Sequence, residues 1–376
     1  MKLTKTEVFL TKIPVIRAHK MAIGTTLHQE CVFVKLFADN GIYGWGEAPH
    51  MVRHSGFGET QQTVASTLRD FLLPVVLGQE ATEMENHQIN MDKAVPWNYR
   101  AKSAVNIALY DILGKWLDTP VYNVLGGKCR DRVPVSWSIP ITDFTAGVQE
   151  AQQMIAEKEF KILKVKVGRE DAMEDVEMVK RIRESVGKDI RLRVDANQAY
   201  DVKTAIRVAN AIGEFDVEFF EQPVSRYDLE GLALVNKSSP VPIMADESAD
   251  LPCDVYEIIR HRAADIISVY TNNAGGLLNA KKMIAVAETA DLGCYNGGAL
   301  EGPVGTSACL HLVASSPSMT YGMEKGGEWL LKENISQEPI KFEDGSFIVP
   351  DVPGLGVELD QAKVDRYLID RFEVTI

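Results

Sequence analysis

Apolar and polar positions follow three rhythms along the chain, and each change of rhythm marks a change of architecture. Up to about residue 50 the period is close to two. Glu30-Cys31-Val32-Phe33-Val34-Lys35-Leu36-Phe37-Ala38 and Tyr43-Gly44-Trp45-Gly46-Glu47 flank the turn Asp39-Asn40-Gly41-Ile42, which predicts a hairpin in an antiparallel sheet. Residues 19–26, glycine-containing and polar at their ends, read as an exposed loop, either a connector or a mobile lid over a site elsewhere. From residue 58 to 125 the period turns helical, with apolar positions three and four apart over 60–73 and 99–117. Gly126-Gly127 closes the stretch as glycine commonly closes a helix. Strands first and helices after predict an α+β unit over residues 1–128.

At Val133 short apolar runs begin to alternate with helical stretches. Val133-Pro134-Val135-Ser136-Trp137-Ser138-Ile139 reads as a strand and 145–158 as a helix. The alternation continues through strands ending near Lys166, Asp195, Glu221, Asp246, Thr271, Gly298 and Met323, with helices over 171–186, 277–292 and 304–315 among those between them. Eight strands with helices between most of them predict an α/β fold, a (β/α)8 TIM barrel spanning residues 129–350, with its site at the C-terminal ends of the strands. Residues 326–350 read as loop and β-structure rather than an eighth helix. The tail, 351–376, is expected to return to the N-terminal α+β capping domain and complete it.

The strand ends carry the chemistry. In Ile162-Leu163-Lys164-Val165-Lys166-Val167-Gly168 two lysines stand two apart, so both ammonium groups leave the same face of the strand. The next three strands end in Asp195-Ala196-Asn197, Glu221-Gln222-Pro223 and Asp246-Glu247-Ser248, and the acids are 26 and 25 positions apart. That spacing fits one strand, one helix and two loops, repeated. Barrel strands are covered on both faces, so two lysines inside one need partners, and the carboxylates supply them. A structural ion-pair network is the plainer reading of this set. The sharper one is a single hard cation, Mg2+ or Mn2+, held by oxygen ligands alone beside two lysines. Such a site suits proton transfer next to a carboxylate, where a divalent ion stabilises the enediolate. Lys166 is then the acid/base and Lys164 its electrostatic neighbour, with the Lys166 pKa drawn down towards neutrality.

The 376 residues, 45% hydrophobic and 25% charged, suffice for one large domain or two moderate ones. A net charge of −13 argues against nucleic acid or an anionic membrane as partner, though not against a small anionic substrate. Cys31, Cys129, Cys253, Cys294 and Cys309 are scattered, which suggests neither a disulfide framework nor a zinc site. Neither a signal-peptide core nor a bilayer-length apolar run is evident, so a cytoplasmic protein is expected.

Lys164-Val165-Lys166, Asp195-Ala196-Asn197, Glu221-Gln222-Pro223 and Ala245-Asp246-Glu247-Ser248 together resemble the enolase superfamily, and within it the muconate lactonizing enzyme (muconate cycloisomerase) subgroup of the mandelate racemase/muconate lactonizing enzyme family. The resemblance covers nearly the whole chain. His19-Lys20-Met21-Ala22 falls where that family has its active-site loop, and Leu300-Glu301-Gly302 matches its glutamate-bearing turn after the seventh barrel strand. It implies Asp195, Glu221 and Asp246 as metal ligands and Lys164 and Lys166 as the catalytic lysines. Asn197 and Glu247 would lie close to the metal shell. The same set of substrate-facing residues takes in His19 and Ile23 from the loop, Asn296 at the seventh strand and Glu301. A small carboxylate substrate follows, and a homo-oligomer is expected because such barrels commonly assemble through their outer faces.

One departure ranks the reactions. Where the family usually has a lysine on the sixth strand, a few residues before Gly275-Gly276, this chain has Tyr270. Tyrosine is neutral at pH 7; it replaces no charge, but it can donate a hydrogen bond or merely pack the barrel. No histidine lies near the seventh strand to offer a His-Asp base instead. Racemisation and epimerisation need proton carriers on both faces of the substrate carbon and therefore rank lower. Cycloisomerisation of a muconate-like diacid comes first and syn elimination of water from a hydroxy acid second, because each runs with Lys166 alone. A barrel that binds metal without catalysis is the reading from another class, and the intact lysines and carboxylates count against it.

Overall fold

The computed structural model describes residues 1–50, 58–324 and 326–376. Its strands in chain order are β1 (Leu3–Met21), β2 (Gly24–Ala38), β3 (Tyr43–His50), β4 (Arg132–Ile139), β5 (Ile162–Lys166), β6 (Arg191–Asp195), β7 (Val217–Glu221), β8 (Ile243–Ala245), β9 (Ile266–Ser268), β10 (Gly293–Tyr295), β11 (Met323–Glu324), β12 (Phe342–Glu343), β13 (Ser346–Ile348) and β14 (Leu368–Thr375). β14, β1, β2 and β3 form an antiparallel sheet in that order, so the C-terminal strand pairs with the first one. Helices Gln61–Thr67, Met84–Ala94 and Tyr99–Trp116 follow, the last packing on β3. It packs so closely that a Cβ on Gly46 would lie 1.8 Å from the Ala104 carbonyl oxygen.

β4 to β10 run parallel, each beside the next, and β11 pairs with β4. A parallel bridge between Asn296 and Met323 joins the end of β10 to β11 and closes the ring of eight. β5 is buried at all five positions, as expected of a strand covered on both faces. Aspartates start several of the helices that follow these strands. Asp143, Asp171, Asp201 and Asp228 each accept a backbone N–H in the first turn of the next helix, satisfying donors that would otherwise be orphaned. Between β11 and residue 350 the described residues make the short helix Gly327–Leu330 and the β12–β13 hairpin, whose β13 pairs with the start of β4.

The stretch 19–26 is not an exposed loop. β1 and β2 run on as a hairpin, with His19 opposite Thr26 and Met21 opposite Gly24. The register shifts between Pro14 and His19, which bends the hairpin away from the sheet and down onto the barrel. There Ile141 N–H donates to the Lys20 carbonyl at 2.9 Å, Lys332 N–H to the Pro14 carbonyl at 2.9 Å, and the Gln29 amide to the Leu300 carbonyl. A Cβ on Gly168, just past β5, would lie 2.7 Å from the Ala22 Cβ at the hairpin tip. His19 and Met21 are buried over a cavity shared with barrel residues, a surface outside their own sheet, so their polarity gives no strand rhythm.

Candidate active site

Lys164 and Lys166 alternate with Leu163 and Val165 on β5, which puts both ammonium groups in the barrel interior with the acids. Ladder register sets the next row. Lys166 lies beside Asp195, and Asp195 beside Glu221, in one layer at the C-terminal ends of β5, β6 and β7. Asp246 follows β8 directly. Lys166 Nζ is 2.5 Å from Asp195 Oδ2, and Lys164 Nζ is 2.9 Å from Glu221 Oε2 and 3.4 Å from Asp195 Oδ2. A further carboxylate, Glu324, pairs with Lys164 from the end of β11. Sequence reasoning ended that strand at Met323 and missed it, although an acid at the end of a barrel strand was the signal already in use.

Asp195, Glu221, Asp246, Glu247 and Glu324 are all buried, as are Lys164 and Lys166. Burial opposes the charge of Asp195, yet Lys166 and Lys164 outweigh it and hold the carboxyl down at about 2. Glu324 is likewise held at about 2 against its burial by Lys164 and Lys166. For the other acids the lysines are outweighed by burial and neighbouring carboxylates. Burial, then Asp195, pushes Glu221 well up; burial, then Glu247, does the same for Asp246; burial and Asp195 raise Glu247 to about 7. Burial works against the Lys166 charge, but Asp195 raises its pKa above the ordinary lysine value. The ammonium sits on a carboxylate, which holds its proton; the expected drift towards neutrality concerns a lysine beside a bound cation.

No group of three or more His, Cys, Asp or Glu among the described residues could hold an ion as it stands, with Lys166 on Asp195 and Lys164 on Glu221. The donor set nevertheless fits a hard divalent cation. It is all oxygen, it carries an excess of negative charge, and Asp246 Oδ1, Glu247 Oε2 and Asn197 Oδ1 are buried with no hydrogen-bond partner. The Asn197 amide donates to Glu247 Oε1 at 3.2 Å, and its backbone N–H to Asp195 Oδ1 at 2.9 Å.

The other expected residues divide. His19 lines a cavity of about 30 Å3 under the hairpin together with Met21, Ser138, Lys166, Leu300 and Glu324, room for about two water molecules. Ile23 is half-buried in the hairpin turn and is not among the residues lining that cavity. Asn296 donates to the Val269 carbonyl at 2.8 Å and so helps close the barrel. Glu301 accepts from the Asn272 amide at 3.1 Å and the Ala299 N–H at 3.0 Å, beside the sixth-strand turn, and is also outside the cavity lining.

Tyr270 follows β9, four strands from β5 in a ring of eight and therefore across the barrel from Lys166. Its hydroxyl is 3.4 Å from Asp246 Oδ2, and burial followed by Asp246 pushes the phenol well above its usual pKa, so it stays neutral. Gly297 makes room for it, since a Cβ there would meet the ring at 2.2 Å. Gly297→Ala is expected to cost about 1–3 kcal/mol of stability while Tyr270 is present, and far less in a Tyr270→Ala background. Denaturant midpoints of the four variants check this; equal costs in the two backgrounds would remove the coupling.

Comparison with known proteins agrees with this geometry. Residues 5–126 match the mandelate racemase / muconate lactonizing enzyme N-terminal domain, and residues 146–363 the enolase C-terminal domain-like family. Muconate cycloisomerase 1-1 of Acinetobacter lwoffii is 34% identical over 97% of this chain and 96% of its own. The muconate lactonizing enzyme of Pseudomonas fluorescens, solved with muconolactone, superposes with a TM-score of 0.94 at 32% identity, over 98% of this chain and 99% of that one. An N-succinyl Arg/Lys racemase from Bacillus cereus (TM-score 0.95) and a dipeptide epimerase from Cytophaga hutchinsonii, solved with Mg and D-Ala-L-Val (TM-score 0.94), are each 28% identical over all of both chains. Two lysines on one barrel strand, an acid at the end of each of the next three, and a capping sheet folded over them thus occur in a chain that belongs to the mandelate racemase/muconate lactonizing enzyme family of the enolase superfamily, as an enzyme similar to the muconate cycloisomerases.

Proposed function

We propose that this enzyme is a muconate-type cycloisomerase dependent on a divalent cation, Mg2+ or Mn2+, held by Asp195, Glu221 and Asp246. The observation that carries the reading is the asymmetry of the site. Lys166 stands on one side as an ammonium paired with Asp195, and a neutral phenol, Tyr270, stands on the other. Lactone formation needs one proton carrier. An oxygen of one muconate carboxylate bonds to C4, the C4–C5 π pair passes to the second carboxyl group as an enediolate, and Lys166 gives its proton to C5. No atom is gained or lost. A bound divalent cation supplies the positive charge that this doubly charged group requires.

Lys164, between Glu221, Glu324 and Asp195, holds these acids in place and keeps Asp195 and Glu324 ionised. Glu247 and Asn197, bonded to each other, hold the Asp195 and Asp246 side of the site. The hairpin covers the cavity and excludes water. The cavity is smaller than a six-carbon diacid, so substrate entry requires the hairpin to lift. The similarity to a racemase and an epimerase supports a second reading, 1,1-proton transfer, but Tyr270 leaves it without a charged carrier on the second face. Syn elimination of water also runs on Lys166 alone and differs only in substrate.

Ultraviolet absorbance of cis,cis-muconate incubated with the protein and Mg2+ tests the proposal. Loss of the diene band is expected, and EDTA or Lys166→Met should abolish it. An unchanged band with Mg2+ or Mn2+ present would overturn the cycloisomerase and put hydroxy-acid dehydration first.

A further inference from the structure

Helix Pro303–Ala314, which follows the seventh barrel strand β10, is buried at every position, so water cannot satisfy the free N–H groups of its first turn. In a capping box the side chains of the N-cap and N3 residues take each other's backbone N–H. Here both residues are glycine, Gly302 and Gly305, and neither has a side chain to give. The cap comes from the other domain. Glu47, on β3 of the capping sheet, accepts the Gly302 N–H on Oε1 at 2.6 Å and the Gly305 N–H on Oε2 at 2.8 Å. A Cβ on Gly302 would stand 3.3 Å from Glu47 Oε2 and one on Gly305 3.1 Å from Oε1, so both glycines leave the carboxylate its room.

Glu47 is fully buried, and the titratable groups that face it are Glu301 from the turn before the helix and Cys31 from β2. Burial pushes its carboxyl up to about 7, against the pull of the two N–H bonds, and leaves it ionised at pH 8. The far end of the helix meets the opposite charge. Arg130 donates to the Ser316 carbonyl at 3.0 Å and Lys281 to the Ser315 carbonyl at 3.1 Å. An anion at the N-terminus and cations at the C-terminus both suit the helix dipole.

The residues just before this cap adjoin the site. Leu300, in the left-handed region at φ +59°, lines the cavity with Lys166, and its carbonyl accepts the Gln29 amide of β2. Glu301 accepts from the Asn272 amide at 3.1 Å, in the turn that follows Tyr270. We propose that Glu47 is a positioning residue: as an ionised carboxylate it caps the helix across the domain boundary and fixes the Leu300–Glu301 turn, and through Glu301 the Asn272 turn beside Tyr270. The capping sheet thereby sets the barrel wall opposite Lys166.

Proton–nitrogen NMR of protein labelled with 15N in glycine and asparagine tests this without turnover, with the signals assigned by substitution. At pH 8 the Gly302 and Gly305 amide protons should lie farther downfield in the wild type than in Glu47→Gln, which is uncharged and can accept on one atom only. The Asn272 side-chain amide should shift in the same variant. Glu47→Ala removes the carboxylate outright, and adding Gly302→Ser gives the helix a cap of its own; the Asn272 signal should stay displaced in both. Resting on the cycloisomerase reading, Glu47→Gln should lower kcat on muconate about tenfold or more with KM little changed. Gly302 and Gly305 amides at the same positions in the wild type and Glu47→Gln overturn the proposal. So does an Asn272 signal unmoved in Glu47→Gln or restored by Gly302→Ser, or a wild-type kcat in an active Glu47→Gln enzyme. Failure of muconate to react, with the amides behaving as expected, overturns the reaction and leaves the positioning role standing.

Discussion

Lys166→Met is expected to lower kcat/KM by about 10^3–10^4, the upper range for losing a positioned acid/base, and to leave the protein folded. It stays folded because Asp195, which loses its 2.5 Å partner, keeps Lys164 at 3.4 Å. Lys164→Met is the contrasting variant. Lys164 is the ammonium bonded to both Glu221 and Glu324, and both carboxylates are buried. Removing it leaves the buried Glu324 carboxylate without its ion-pair partner and takes the ammonium from Glu221, and breaking a buried pair costs about 3–5 kcal/mol. The two substitutions should therefore separate: one dead and stable, the other unstable whatever its activity. Steady-state rates and denaturant unfolding of both proteins check it. A Lys166→Met enzyme retaining more than about a tenth of wild-type kcat/KM would remove Lys166 from the proton-transfer role.

The barrel and its row of charges were legible because fully buried strands leave little freedom. A lysine two residues from another in an apolar strand has to be paired, and the acids recurring at regular intervals were the partners available. What escaped has a physical reason in each case. Helix Met84–Ala94 carries few apolar positions, because it lies on the capping domain with much of its surface in water. The 19–26 hairpin turns His19 and Met21 towards the barrel, a surface that the period of its own strand does not encode. Arg17 carries no signal in the sequence, since its partners Glu150 and Trp137 come to it only through the fold. Glu301 was legible as a residue at the mouth, but not as one whose carboxylate is already taken by Asn272 and an amide. The Lys166 charge state depends on which charge lies nearest, a matter of ångströms that spacing does not set.

Mg2+ is expected to raise the melting temperature strongly at pH 8 and little at pH 5.5, and its removal by EDTA to abolish activity. Glu221 and Asp246 have folded-state pKa values raised by burial and neighbouring acids, and Glu247 is raised to about 7. For an acid whose pKa is raised on folding, the folded state binds the proton more tightly than the unfolded state. The metal-free protein therefore gains stability as pH falls through the raised value towards the ordinary carboxylate range, and carries the full penalty above it. Asp195 and Glu324, held at about 2, act in the opposite sense, but their contribution is lost only as pH falls below about 4, outside this window. A divalent cation needs these carboxylates ionised, so it competes with protons for them and binds more strongly as pH rises, above all through the value of about 7 for Glu247. A cation at 100 times its dissociation constant adds about 2.7 kcal/mol, well within the range of thermal denaturation. Asp246→Asn should remove most of the shift at pH 8, because it takes away a ligand oxygen and one of the raised acids together. A shift of equal size at both pH values, or one that survives Asp246→Asn, would place the cation elsewhere than among Asp195, Glu221 and Asp246.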